Sequence, residues 1–376
     1  MRKINMADPS FSRLDRDFIH NEVDKILSGS LSMGPNVKSF EDQFASLVGV
    51  KHAIAMNSCS SCLEASLMAL GATGREVIVP VETFIATGMA IHLSGATPVF
   101  AEISEDTLCL DIDDVKRRIT DRTAGIILVH MAGLVNPQIC ELQELCIEKD
   151  LFLIEDAAHA PGARYGDVFA GAFGNVGCFS FYPTKVITSA EGGMITTNSD
   201  ELAKTLRSLQ HRGRDLDSPF ENYSLPGRNV RLSELNALVG RVQLGHLNEY
   251  LGTRKKIANV YIDRLNEIPS LKLILPTDLS QSSLWKIPII FHEKINRQKL
   301  KEYLYDNGIS VDWAYDPALH LQPVFKKLFS TTTGMLTKSE SILSRHLCLP
   351  CHQNMSEDDG HYVCDILIEA LEVLDI

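Results

Sequence analysis

The sequence predicts an α/β protein: a mostly parallel central sheet flanked by helices, followed by a smaller α+β unit. Two observations carry this. Near-continuous apolar runs of strand length recur through the first two thirds of the chain, and helix-length stretches separate most of them. Strands buried on both faces read in this unbroken way, whereas a sheet with one wet face alternates.

In order, the strand candidates are EVIVP (76–80), TPVFAEI (97–103), GIILVHM (125–131), LFLIED (151–156), GCFSF (177–181) and GMITTN (193–198). Helix-length segments such as TFIATGMAIHLSG, ending in Gly95, and PQICELQELCIEKD lie between the first five. The last two candidates are close together, which predicts a hairpin-like or crossover exception there. From Leu232 to about Glu267 the pattern is helical, with Ser233 and Glu234 near its start, and reads as one long helix linking two units. Beyond it LWKIPIIF (284–291) and HLCLP (346–350) read as strands, and NRQKLKEYLYDNG and SEDDGHYVCDILIEALEVL as helices. In the last of these Ser356 can cap, and Asp358 and Asp359 suit the first turn. The expected division is a large unit over 1–245, including the N-terminal segment, and a small one over 246–376.

A formal charge of −12 argues against a nucleic-acid partner, which would need a basic face. No stretch approaches the ~20 apolar residues of a membrane span, and the N-terminus has no apolar core of a secretory signal. Nine scattered cysteines, with Cys59 and Cys62 as a lone C-x-x-C, read as reduced thiols rather than metal ligands. A soluble cytoplasmic protein without a metal is expected.

In a parallel sheet ligands gather at the carboxyl ends of the strands. Asp156 closes LFLIED, and Lys185 follows GCFSF within four residues, beside Gly192 and Gly193 that allow close approach. An isolated lysine and an acid at two strand ends suggest pyridoxal phosphate, whose aldehyde joins a lysine amine and whose ring nitrogen needs an acidic partner. Such a lysine must be neutral to attack, and desolvation lowers its pKa. A phosphate needs a cradle as well. In AMNSCSSCLEASLMAL (55–70) small polar residues precede a helical pattern, so backbone N–H groups and the Ser60 hydroxyl could serve, though a plain helix cap reads the same way. Ser180 alternates with Phe179 and Phe181 and so points to the opposite face, as a second phosphate hydroxyl or a tolerated strand serine.

Several ordered blocks make the chain resemble the DegT-type sugar aminotransferases, a family of fold type I pyridoxal-phosphate enzymes. They are SMGPNVKSFEDQFASLVG, IVPVETFIATGMAIHLSGATPVFAEI, IEDAAHAPGARYGDVFAGAFGNVGCFSFYPTKVITSAEGGMITTN, GRNVRLSELNALVGRVQL, ALHLQPVF and CLPCHQNMSEDD. The resemblance implies Lys185 as the lysine bonded to the cofactor and Asp156 as the ring-nitrogen partner. It places His159 near the phenolic oxygen and Phe84 on the ring. Ser60, Ser180 and the amide of Cys59 would hold the phosphate. Asn229 would reach the phosphate of a neighbouring subunit, which implies a homodimer with shared sites. Cys59 stands where the family usually has glycine, Tyr182 replaces a common histidine and Val230 a frequent tyrosine; the last two positions would face substrate.

Relatives with histidine at the Lys185 position remove a sugar hydroxyl, so lysine here favours transamination: glutamate or glutamine as donor, and a nucleotide-linked keto-deoxysugar as acceptor. Arg212, Arg214, Arg228 and Arg231 could meet the diphosphate or the donor carboxylate, although surface solvation explains them equally. His320 is a candidate substrate contact or a turn-packing histidine. The alternatives are a sugar dehydratase or a non-catalytic regulator on the same fold, and a nucleotide-binding dehydrogenase, which would need a G-x-G-x-x-G that no early strand candidate precedes.

Overall fold

The computed structural model describes residues 2–292 and 295–374. Its strands are β1 (His52–Met56), β2 (Glu76–Pro80), β3 (Thr97–Ala101), β4 (Thr123–Val129), β5 (Phe152–Asp156), β6 (Arg164–Tyr165), β7 (Val168–Phe169), β8 (Val176–Ser180), β9 (Gly193–Thr197), β10 (Leu271–Leu273), β11 (Ile287–Phe291) and β12 (His346–Leu349). The helices that matter below are α1 (Arg13–Leu27), α2 (Pro35–Val48), α3 (Cys59–Ala69) and α4 (Ile85–Leu93).

Seven strands form one sheet in the order β1-β9-β8-β5-β4-β2-β3. From β8 to β3 every neighbouring pair is parallel, while β9 runs against both β8 and β1. The exception expected near residues 177–198 is therefore β9, joined to β8 by a short loop. Alternate residues divide between two buried layers: Val77, Val79, Ile127 and Ile154 enter one, and Ile78, Ile126, Leu128 and Leu153 the other. That two-sided burial explains why the strands read as unbroken apolar runs.

Two elements depart from the sequence reading. Strand β1, HAIAM, flanks its one β-branched residue, Ile54, with alanines and gives little propensity signal, yet it pairs with β9 along its whole length. The long helix expected from Leu232 to Glu267 is two helices, Glu234–Gly245 and Leu247–Leu265, broken at His246. His246 there bonds through Nε2 to Asp15 of α1 at 2.9 Å.

A second sheet, β10-β11-β12, is antiparallel. Ile287, Ile289, Phe291, Leu347 and Leu349 pack there against Tyr261, Leu300, Val363 and Leu367 of the surrounding helices. Ile4 joins this cluster, since its N–H donates to the Gly308 carbonyl at 2.8 Å and its carbonyl accepts from Ser310 N at 2.9 Å. The start of the chain, grouped from sequence with the large unit, thus packs with the small sheet. The closing helix, Glu357–Val373, has the Ser356 cap, reinforced by Asp359 in a reciprocal capping box. Among the described residues no helix is long and apolar enough to cross a membrane, and no cluster of His, Cys, Asp and Glu is arranged for a metal ion.

Candidate active site

A cavity of about 410 Å³ opens where β4, β5 and β8 end; Val129, Asp156 and Ser180 all line it. Adjacent parallel strands bring the last two together, with Asp156 in register with Cys178. Asp156 is buried, and its Oδ2 accepts from the Thr87 hydroxyl at 2.7 Å while Oδ1 accepts from the Ala158 N–H at 3.2 Å. Burial pushes its carboxyl above the usual carboxylate range, although those two hydrogen bonds and the Lys185 charge pull it back.

Lys185 lies on the loop between β8 and β9. The loop is tied at its base: Phe181 N–H donates to the Gly192 carbonyl at 3.0 Å and Ser189 N–H to the Phe181 carbonyl at 2.9 Å. The lysine is half-buried, with its Nζ 4.3 Å from the centroid of the Trp285 ring. Its free surface faces the cavity rather than bulk solvent, so desolvation dominates and lowers its pKa from 10.5 to about 8, opposed by Asp156. An amine so placed is substantially neutral near pH 8.

At the start of α3, Ser58 is the cap: its hydroxyl accepts from Ser61 N–H at 3.2 Å. Cys59 and Ser60 follow, in the first turn, where a helix leaves N–H groups without intrahelical acceptors. Gly193 passes beneath this turn. A Cβ there would lie 2.5 Å from the Ser58 carbonyl carbon and 2.6 Å from the Cys59 nitrogen, so only glycine permits the approach. Ser180 lines the same cavity, while Phe179 and Phe181 turn away to Phe44, with ring centroids 4.8 and 5.4 Å from it. The Cys59 thiol is pushed well up by burial and stays protonated, so it does not compete as a nucleophile.

His159 is buried, stacks on Trp285 with centroids 3.8 Å apart, and bonds through Nε2 to the Tyr315 hydroxyl at 2.8 Å. Among the described residues its Nδ1 has no partner. Burial, followed by the nearby lysines, holds its pKa well below the ordinary value, so the ring is neutral. Phe84 is 55% exposed on the cavity wall, 5.7 Å from Tyr315, and is no core residue. Tyr182, 48% exposed, also lines the wall.

The remaining candidates lie off the cavity within this chain. Asn229 is exposed in a bridge with His211. Arg228 is drawn to Glu64 at 2.5 Å, and Arg231 to the His211 ring at 2.5 Å. His320, expected as a substrate contact or a packing histidine, is fully buried, bonds Glu340 at 3.0 Å and does not reach the cavity; it packs. Sequence reasoning missed Thr83, Thr87, Trp285, Lys286 and Tyr315, all on the wall. A tryptophan and a lysine opening an apolar strand were the available signal for two of them.

A lysine of lowered pKa sharing a cavity with a buried carboxylate at adjacent parallel strand ends, beside a helix N-terminus, is the arrangement of a fold type I pyridoxal-phosphate enzyme. The chain belongs to the DegT/DnrJ/EryC1/StrS aminotransferase family, whose profile matches residues 14–368. It is 32% identical over 371 residues to GDP-perosamine synthase of Vibrio cholerae, covering 97% of this chain and 98% of that protein. It is 34% identical over 351 residues to dTDP-3-amino-3,4,6-trideoxy-alpha-D-glucose transaminase of Streptomyces venezuelae, covering 93% and 90%. The fold matches Helicobacter pylori PseC, an aminotransferase involved in the biosynthesis of pseudoaminic acid, with a TM-score of 0.91, 27% identity, and coverage of 99% and 100%.

The family implies pyridoxal phosphate, and the residues present fit it. The Gly193 crossing, which a Cβ would block, accompanies a first turn of α3 whose Cys59 and Ser60 line the same cavity as Ser180, and a buried carboxyl and an amine of lowered pKa share its walls.

Proposed function

We propose that this aminotransferase moves an amino group from glutamate or glutamine to a nucleotide-linked keto-deoxysugar, giving an amino sugar. The observation that carries the chemistry is Lys185, its pKa lowered to about 8, in one cavity with buried Asp156. The substrate class rests on the names of the relatives, which include GDP- and dTDP-linked amino-sugar enzymes.

Pyridoxal phosphate, when bound, supplies an aldehyde that links to an amine and a ring that draws electrons from the adjacent carbon. Lys185 Nζ would hold it, and Asp156 would keep a proton on the ring nitrogen. Cys59 and Ser60 N–H, with the Ser60 and Ser180 hydroxyls, would bind its phosphate; neutral His159 would orient the phenolic side; Phe84 would cover the ring. Once released, Lys185 Nζ would take the proton from the donor's α-carbon and deliver it to the carbon that had been the aldehyde, the relocation that amino transfer requires. Trp285 and Tyr315 wall the cavity on that side.

The same reading includes a cytoplasmic homodimer in which Asn229 serves the neighbouring site, and a division of the chain into units of 1–245 and 246–376. Exposed Asn229, away from its own cavity, supports the shared site. The substrate is tested by a panel of GDP- and dTDP-linked keto-deoxysugars with glutamate, where amino-sugar product is expected; no product from any member would defeat the reading. The shared site is tested by mixing inactive Lys185→Ala and Asn229→Ala proteins. Regained activity is expected, because the hybrid rebuilds one intact site, and none after proven subunit exchange would refute it.

A further inference from the structure

Of the side chains lining the cavity among the described residues, two carry amines, Lys185 and Lys286. The second has no part in the chemistry above, and its setting is built. Lys286 is 8% exposed, and its Nζ donates to Asp312 Oδ2 at 2.5 Å. The other Asp312 oxygen accepts from Ala314 N–H at 3.1 Å, so the carboxylate is fixed by its own loop. The ammonium also rests 4.3 Å from the Trp285 ring centroid. Asp312 thus gives a nearly buried amine a carboxylate partner, and among the described residues a group with three donor positions uses a single hydrogen bond.

Position narrows the occupant. Lys185 Nζ lies 4.3 Å from that same ring centroid, so the two amines are at most twice that distance apart. An amino-acid donor brings its amine to Lys185 and carries a carboxylate on the very carbon that holds that amine. A keto sugar has only neutral hydroxyls and a ring oxygen around its reacting carbon, and its diphosphate is several bonds away. Of the four arginines that might have met the donor, Arg228 is engaged with Glu64 and Arg231 with His211, and neither Arg212 nor Arg214 lines the cavity.

We propose that Lys286, held by Asp312, recognises the carboxylate of the amino donor; this rests on the aminotransferase reading. Lys286 is then a binding residue and Asp312 a positioning residue. The site serves two substrates in turn, and this ammonium favours one of them.

The test compares the holoenzyme with Lys286→Met and Lys286→Arg. The Met variant is expected to raise KM for glutamate by roughly ten- to a hundredfold, as loss of a charge-assisted contact does, with acceptor KM changed less than about twofold. Calorimetric binding of glutarate, a dicarboxylate that cannot transaminate, should weaken by a similar factor, and the Arg variant should recover most of it. An unchanged glutamate KM in a Met variant of wild-type melting temperature overturns the proposal, as does an equal rise for both substrates. If the keto-sugar panel gives no turnover, the function reading fails, and glutarate binding to wild type and variant still decides the role of Lys286.

Discussion

His159 and Trp285 stack nearly parallel, 11° apart, and the indole reaches past the histidine to the catalytic loop, where its Nε1 donates to the Thr184 carbonyl at 2.7 Å. One ring thereby orients the histidine and braces the residue before Lys185. Trp285→Phe keeps the stack and loses the donor. We expect a stability loss of ~1 kcal/mol from the missing hydrogen bond. A kcat about tenfold lower should accompany it, read by thermal melting and steady-state assay; a kcat equal to wild type would show that the brace is dispensable.

Lys185→Ala should fold normally and lose turnover by at least ~10³-fold, because both the attachment point and the proton carrier are gone. Borohydride reduction of the wild-type holoenzyme followed by peptide mapping should place the cofactor on Lys185. Recovery on another lysine would reject the assignment.

The amine's pKa of about 8, against an ordinary 10.5, sets a pH dependence. Capture of pyridoxal phosphate by the cofactor-free protein should rise with pH through a midpoint near 8, followed by absorbance after mixing. The sign for stability follows from linkage. Between about 8 and 10.5 the unfolded chain holds a proton that the folded one has released, so this group makes stability increase with pH across that window. A capture midpoint near the ordinary lysine value would contradict the desolvated setting.

Asp156→Ala should retain part of its cofactor and lose ~10²–10³-fold in kcat, the usual scale for removing one preorganised electrostatic partner. Thr87→Val, which deletes the 2.7 Å donor to the same carboxylate, should have a smaller effect in the same direction. A larger loss in the threonine variant would mean that the hydroxyl, not the acid, matters.

Gly193→Ala places a methyl group 2.5 Å from backbone at Ser58. Backbone cannot step aside as a side chain can, so ~1–3 kcal/mol of stability should be lost. Phosphate affinity should fall with it, measured as cofactor dissociation. A variant that binds cofactor as wild type would show that the first turn of α3 is not the cradle.

Much of this site was legible before any coordinates. The parallel strands announced themselves because both of their faces are buried, and Asp156 and Lys185 stood out because an acid closes one such strand and an isolated lysine follows the next within four residues. Ser180 declared its side by alternating with two phenylalanines. What stayed hidden has a common cause. Trp285, Lys286 and Tyr315 come from segments more than a hundred residues beyond Asp156, and nothing local marks them as neighbours of a cavity. Strand β1 was lost because alanine fits a buried strand without advertising one. The break at His246 depends on a bond to Asp15, a contact between distant parts of the chain.

The reversed direction of β9 has a further consequence. Because it lies directly beside β8, the twelve-residue span carrying Lys185 begins and ends on hydrogen-bonded neighbours and closes like an eyelet at Phe181 and Gly192. The nucleophile can swing by bond rotation alone, without a hinge. Preference for one reactant over another can then drift by changing the opposite wall, at Lys286 or Tyr315, while the reacting amine keeps its anchorage.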